Sequence, residues 1–156
     1  MMIPQSRFIA CTFLIAILLM AHGQIQAATV EYDLTVARQK VNITGKPAWG
    51  MTLNGGIPGP TLRFREGDLA RIRVRNLMDE DTSIHWHGLL VPPDMDGVPY
   101  LSFPPIGPGA TFTYEFPIRQ SGTYWYHSHT RLQEQSGLYG AIVIEPRQAA
   151  PAPARD

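Results

Sequence analysis

The chain has 156 residues, with 13 basic and 13 acidic side chains, five histidines and a single cysteine. Balanced charge excludes the basic patch that nucleic acid requires and the acidic tract of a charged partner. One cysteine excludes an internal disulfide framework, and the length fits one domain with a real hydrophobic core.

Residues 1–27 read as a secretory signal peptide. Arg7 supplies the positive charge, Phe8 to Met20 is almost wholly apolar, and a small-residue site follows at Ala27-Ala28. The apolar run is shorter than the roughly 20 residues of a membrane span. The expected location is therefore periplasmic or secreted, with no membrane contact after cleavage. Cys11 faintly matches a lipoprotein box, but cleavage there would leave most of the apolar run on the mature chain. Its removal with the leader leaves a mature domain without disulfide or thiolate.

The domain is expected over 28–147. No segment carries the 3.6-residue apolar period of a helix. Short alternating runs appear instead at Tyr32–Ala37 (continued by Val41–Ile43), Trp49–Leu53, Thr61–Phe64, Leu69–Arg75, Ser83–His87, Thr111–Phe116, Gly122–His127 and Leu138–Ile144. In the fourth run Ile72 and Val74 share one face and Arg71, Arg73 and Arg75 the other. Turn signals separate the runs: Asn54-Gly55-Gly56, Pro58-Gly59-Pro60, Glu66-Gly67-Asp68, Pro92-Pro93-Asp94 and Gly107-Pro108-Gly109. This pattern predicts an all-β antiparallel Greek-key sandwich or barrel. One helical turn is expected at Arg131–Gln135. The Ala/Pro tail over 148–156 lacks the apolar surface to pack and is expected to be disordered.

Four of the five histidines fall in two pairs, His85-Trp86-His87 and His127-Ser128-His129. Residues i and i+2 of a strand point the same way, about 6.5–7 Å apart at Cα. Two such strands side by side converge four imidazoles on one patch, and a transition metal resolves their crowding, since imidazole suits copper, zinc, iron and nickel. One His-x-His pair in a strand is more often a surface or core feature than a ligand pair. Two pairs, each flanked by aromatics, in a chain with one other histidine make a metal site the better reading. Trp86 and Tyr126 must point to the opposite face, where they fill the core and orient the ligands by packing.

At these residues the chain resembles the N-terminal cupredoxin domain of multicopper oxidases. His85-Trp86-His87-Gly88 and Trp125-Tyr126-His127-Ser128-His129 match the first two of that family's four copper-binding motifs. Supporting matches are Asn54-Gly55-Gly56-Ile57-Pro58-Gly59-Pro60-Thr61-Leu62, Glu66-Gly67-Asp68, Asp96-Gly97-Val98-Pro99 and Ser121-Gly122-Thr123-Tyr124. The stretch Gln133-Glu134-Gln135-Ser136-Gly137-Leu138-Tyr139-Gly140 is most similar to the periplasmic copper-resistance branch.

The resemblance implies copper as cofactor, with His85 on the lone type 2 copper, His87 and His127 on one copper of the type 3 pair, and His129 on the other. It also implies that Asp96 handles protons during reduction of O₂ to water; a turn aspartate before glycine is the other reading of this residue. The family's cluster takes eight histidines, however, and this chain offers four. The rest, with the cysteine of the type 1 copper, come from a C-terminal cupredoxin domain. No histidine follows His129, and the mature domain has only Met51, Met78 and Met95.

The chain alone is therefore not expected to act as a laccase. It reads as a fragment of a longer oxidase, a half that pairs with a complementary cupredoxin domain or with itself, or a copper-binding protein without turnover. Leu89, Leu90, Val91 and Leu132 are expected to be exposed around the histidines. Zinc hydrolysis is the weaker option, because no base carboxylate lies within two residues of either pair and position 91 is valine rather than the glutamate of a cupin motif.

Overall fold

A computed structural model describes residues 27–148. The leader and the Ala/Pro tail lie outside the described residues, apart from their boundary residues Ala27 and Gln148. The described residues form eight strands: β1 (Thr29–Val41), β2 (Ala48–Leu53), β3 (Leu62–Arg65), β4 (Leu69–Asn76), β5 (His85–His87), β6 (Thr111–Pro117), β7 (Gly122–His127) and β8 (Tyr139–Glu145). They build two four-stranded sheets, β2-β1-β4-β6 and β3-β8-β7-β5. The all-β two-sheet architecture is the one the alternation predicts.

The sheets are mixed rather than purely antiparallel, because β1 pairs with β4, and β3 with β8, in parallel. The chain passes from one sheet to the other between β2 and β3, β3 and β4, β4 and β5, β5 and β6, and β6 and β7. A strand reached by way of the opposite sheet can enter from the same end as its neighbour, which a tight hairpin forbids.

Alternation in β4 sorts its side chains cleanly. Ala70, Ile72 and Val74 are buried against Leu34, Val36, Tyr114 and Phe116, while sheet β3-β8-β7-β5 contributes Leu62, Phe64, Trp86, Tyr126, Ile142 and Ile144 to the same core. On the outer face Arg71 bonds Glu31 at 2.8 Å and Glu115 at 2.7 Å, and Arg73 bonds Asp33 at 2.6 Å. These partners sit directly across the ladder. Exposed pairs of this kind stabilise little, but opposite charges facing each other favour this register.

The helical turn expected at Arg131–Gln135 is absent. Arg131 takes a φ of 49°, a left-handed value that no α-helix contains, and residues 131–137 form successive turns instead. The only helical element among the described residues is a 3₁₀ turn at Pro93–Met95, where the sequence signals a turn.

Candidate metal centre

Strands β5 and β7 are adjacent and antiparallel, with His85 opposite His127, Trp86 opposite Tyr126 and His87 opposite Trp125. Trp86 and Tyr126 are fully buried in the core. The alternate residues His85, His87, Trp125 and His127 therefore share the outer face of that sheet. Trp86 packs edge-on against Tyr114 at 5.0 Å between centroids and tilted against Phe116 at 5.4 Å. That packing anchors a strand of only three residues from behind.

His85, His87 and His127 bring one ring nitrogen each within 4.8 Å of one another. His87 Nδ1 lies 3.3 Å from His127 Nε2. Two nitrogens bound at about 2.0–2.1 Å, the usual imidazole distance at zinc, can be at most about 4.2 Å apart; this pair fits a shared ion. His85 Nδ1 donates to the Asp96 carbonyl at 2.8 Å, with the Asp96 carboxylate at 3.3 Å. His127 Nδ1 donates to the Ser128 carbonyl at 2.8 Å, with Glu134 Oε2 at 3.1 Å. Each donation places the proton on Nδ1 and leaves Nε2 as the free ligand atom. A donor set of neutral imidazoles suits copper.

His127 is 5% exposed. Burial holds its imidazole below the ordinary value, and His85 and His87 push the same way, against the Ser128 carbonyl and the Glu134 carboxylate. A neutral ring is the form a metal needs.

His129 is not among the three whose ring nitrogens converge within 4.8 Å, although its ring is as near to that of His85 as the rings of His87 and His127 are. Its ring lies 5.5 Å from that of His85 and 6.2 Å from that of His127, and it lines a cleft of about 400 Å³ with Glu80, Asp81, Tyr100 and Arg131. Buried polar contacts hold this segment to the entry of β5. Ser83 Oγ accepts from the His129 amide at 3.1 Å and meets Thr130 Oγ1 at 2.9 Å. Gln133 Oε1 accepts from Thr82 Oγ1 and Ser128 Oγ, both at 2.8 Å.

Two residues at the site escape a reading of the motifs. Trp125 stacks on His127 at 4.1 Å and lies 5.0 Å from the His87 ring, not in the core; the alternation that pairs it with His127 is the signal for it. Glu134 is carried in by the turns after His129, which no strand periodicity predicts. Leu90 and Leu132 are exposed at 67% and 71%, as expected. Leu89 and Val91 instead pack against the core, because the chain turns inward after Gly88.

Two facing sheets with paired histidine strands on an outer face define a domain of the cupredoxin type. A sequence profile of the multicopper oxidases matches residues 35–149, and the chain belongs to that family, which implies copper as its metal. Among its relatives is a copper resistance protein A homolog of Pseudomonas syringae pv. tomato, 57% identical over 121 residues, which cover 78% of this chain and 20% of that protein. Copper resistance protein A of Escherichia coli is 54% identical over the same shares. The crystal structure of a multicopper oxidase from Pseudomonas thermotolerans superposes with a TM-score of 0.76 at 40% identity, covering 80% of this chain and 31% of that one. The chain thus spans about a fifth of the length of the curated relatives it matches. No helix among the described residues is long and apolar enough to cross a membrane.

Proposed function

We propose that this domain supplies four imidazoles of a three-copper cluster in a periplasmic or secreted oxidase that serves copper resistance. The convergence of His85, His87 and His127 within 4.8 Å carries this reading. Copper, when bound, supplies the one-electron chemistry by which O₂ is reduced to water. His87 Nδ1 and His127 Nε2 hold one ion of the type 3 pair, as their 3.3 Å separation favours. His129, its ring 5.5 Å from that of His85, holds its neighbour, and His85 holds the type 2 ion through Nε2. Asp96 keeps the His85 proton on Nδ1 through its carbonyl and, one-third exposed, exchanges protons with solvent through its carboxylate. Trp125 shields the buried side of His127 from water.

The exposed surface around His87, Leu90, His129 and Leu132 is where a complementary cupredoxin domain or a second copy docks. Such a partner contributes the remaining ligands. A copper-binding protein without turnover is the second reading, for which the three converging imidazoles of His85, His87 and His127 suffice.

Metal titration tests the proposal. Cu(II) is expected to outcompete Zn(II), and His87→Ala and His127→Ala to lose the same copper. The loaded chain should lack the intense blue absorption of a thiolate–copper centre and should oxidise phenols only with a partner domain present. Zinc preference, or unchanged copper content in His127→Ala, refutes the ligand assignment. Sustained phenol oxidation by the chain alone refutes the half-site reading.

A further inference from the structure

Glu134 has no part in the ligand set above, yet its carboxylate is the closest charged group to His127. Its Oε2 lies 3.1 Å from His127 Nδ1, the nitrogen on the far side of the ring from the one that faces His87. The position is built. The preceding residue, Gln133, is buried and bonded through both ends of its amide, accepting from Thr82 and Ser128 and donating from Nε2 to the Asp81 carbonyl at 2.8 Å. Turn bonds from the Gly137 amide to the Glu134 carbonyl at 3.0 Å and from Leu138 to Gln133 at 3.1 Å fix the backbone on either side.

The four imidazoles are not backed alike. His85 has the Asp96 carboxylate behind Nδ1, and His127 has Glu134. His87 turns Nδ1 toward His127, so no carboxylate can stand behind it in the same way. No hydrogen bond to the His129 ring is present among the described residues. Backbone carbonyls accept the Nδ1 protons of both His85 and His127, but a carboxylate beside a non-ligating N–H makes the opposite nitrogen a stronger electron donor.

We infer that Glu134 is a positioning residue for the metal site. It acts through His127: the Ser128 carbonyl takes the Nδ1 proton at 2.8 Å, and Glu134 adds a negative charge beside that N–H, strengthening Nε2 as a copper ligand, so that the ion shared with His87 is held more tightly than those without such support. The inference rests on His127 being a ligand.

The test compares the full chain with Glu134→Gln, Glu134→Ala, His127→Ala and, as a remote carboxylate control at the exposed far end of β8, Glu145→Gln. Cu(II) affinity is measured by competition with a chelator, thermal midpoints are taken without metal, and ¹⁵N spectra report the ring nitrogens of each histidine. Glu134→Gln keeps the shape and an acceptor oxygen but removes the charge. It is expected to weaken Cu(II) binding about tenfold, and Glu134→Ala about 10–100-fold. Glu134→Gln should leave the metal-free midpoint unchanged and move the nitrogen signals of His127 but not those of His85. Glu145→Gln should change none of these.

Unchanged Cu(II) affinity in Glu134→Gln and Glu134→Ala, with His127→Ala impaired, overturns the role of Glu134 alone. Full Cu(II) binding by His127→Ala overturns the ligand assignment and the inference with it. If Glu134→Ala does not fold, the glutamine variant and its spectra still decide.

Discussion

Replacing Gly97 by alanine strikes at the loop that holds His85. Gly97 has a φ of 72°, and a Cβ built there would lie 2.6 Å from the Ile84 carbonyl carbon, nearer still to its oxygen, and 3.2 Å from the His85 amide nitrogen. A left-handed non-glycine residue costs about 1–2 kcal/mol. The clash is with backbone, which cannot rotate away, so overpacking adds about 1–3 kcal/mol. A loss near 3 kcal/mol, at roughly 4 °C per kcal/mol for a domain of this size, lowers the melting midpoint by about 12 °C. The loop that yields carries Asp96, so copper affinity should also fall, by about tenfold. Gly109 provides the control, for it has the same φ of 72° but nothing within 4 Å of its Cβ position. Gly109→Ala should therefore lose only the conformational share, about 1–2 kcal/mol, and keep its copper affinity. Thermal denaturation and Cu(II) titration of both variants measure the difference. Equal midpoints for the two would refute the claim that close approach to Ile84, rather than backbone conformation, makes Gly97 necessary.

Trp86 is fully buried, and its indole nitrogen has no hydrogen-bond partner. Trp86→Phe removes a donor whose burial costs about 1–3 kcal/mol while opening a void of similar cost, so its net effect in denaturant titration should stay within about 1 kcal/mol. Trp86→Ala should lose about 3–5 kcal/mol; an equally large loss in the phenylalanine variant would show the nitrogen to be bonded after all. Burial raises the Tyr114 and Tyr126 phenols above the ordinary value of 10.0. A raised folded value means that their contribution to stability is complete below pH 10 and is lost as pH climbs toward the folded values. Two of the six tyrosines should therefore ionise only as the chain unfolds in alkali, and ionisation of all six with native circular dichroism intact would contradict that.

Most of the sheet structure is legible in the alternation of β4, β6 and β8, because a strand with one buried face must write its period into the sequence. The pairing of β5 with β7 is legible for a chemical reason, since His-x-His on each strand makes sense only if the two lie together. The parallel partners of β1 and β3 are not legible, because strand period carries no information about direction. Arg131 and Glu134 show the other limit. A left-handed residue followed by consecutive turns has no period, so the carboxylate behind His127 depends on contacts from Gln133 to residues some 50 positions earlier in the chain. Leu89 and Val91 erred in the same way, their burial being set by how the loop after Gly88 folds back.

The connection between β5 and β7 has a bearing on the order of events during biogenesis. His87 and His127 are 40 positions apart, and the chain between them crosses to the opposite sheet as β6 before returning. No local hairpin can bring the two histidine strands together, so their meeting waits for the long-range closure that makes β topologies slow to fold. A zinc finger gathers its ion from an unfolded chain and folds around it. Here an ion arriving early finds only scattered, weakly competing imidazoles. The two sheets must form by apolar packing and strand pairing first, so an ion shared by His87 and His127 would enter late in maturation rather than act as its nucleus.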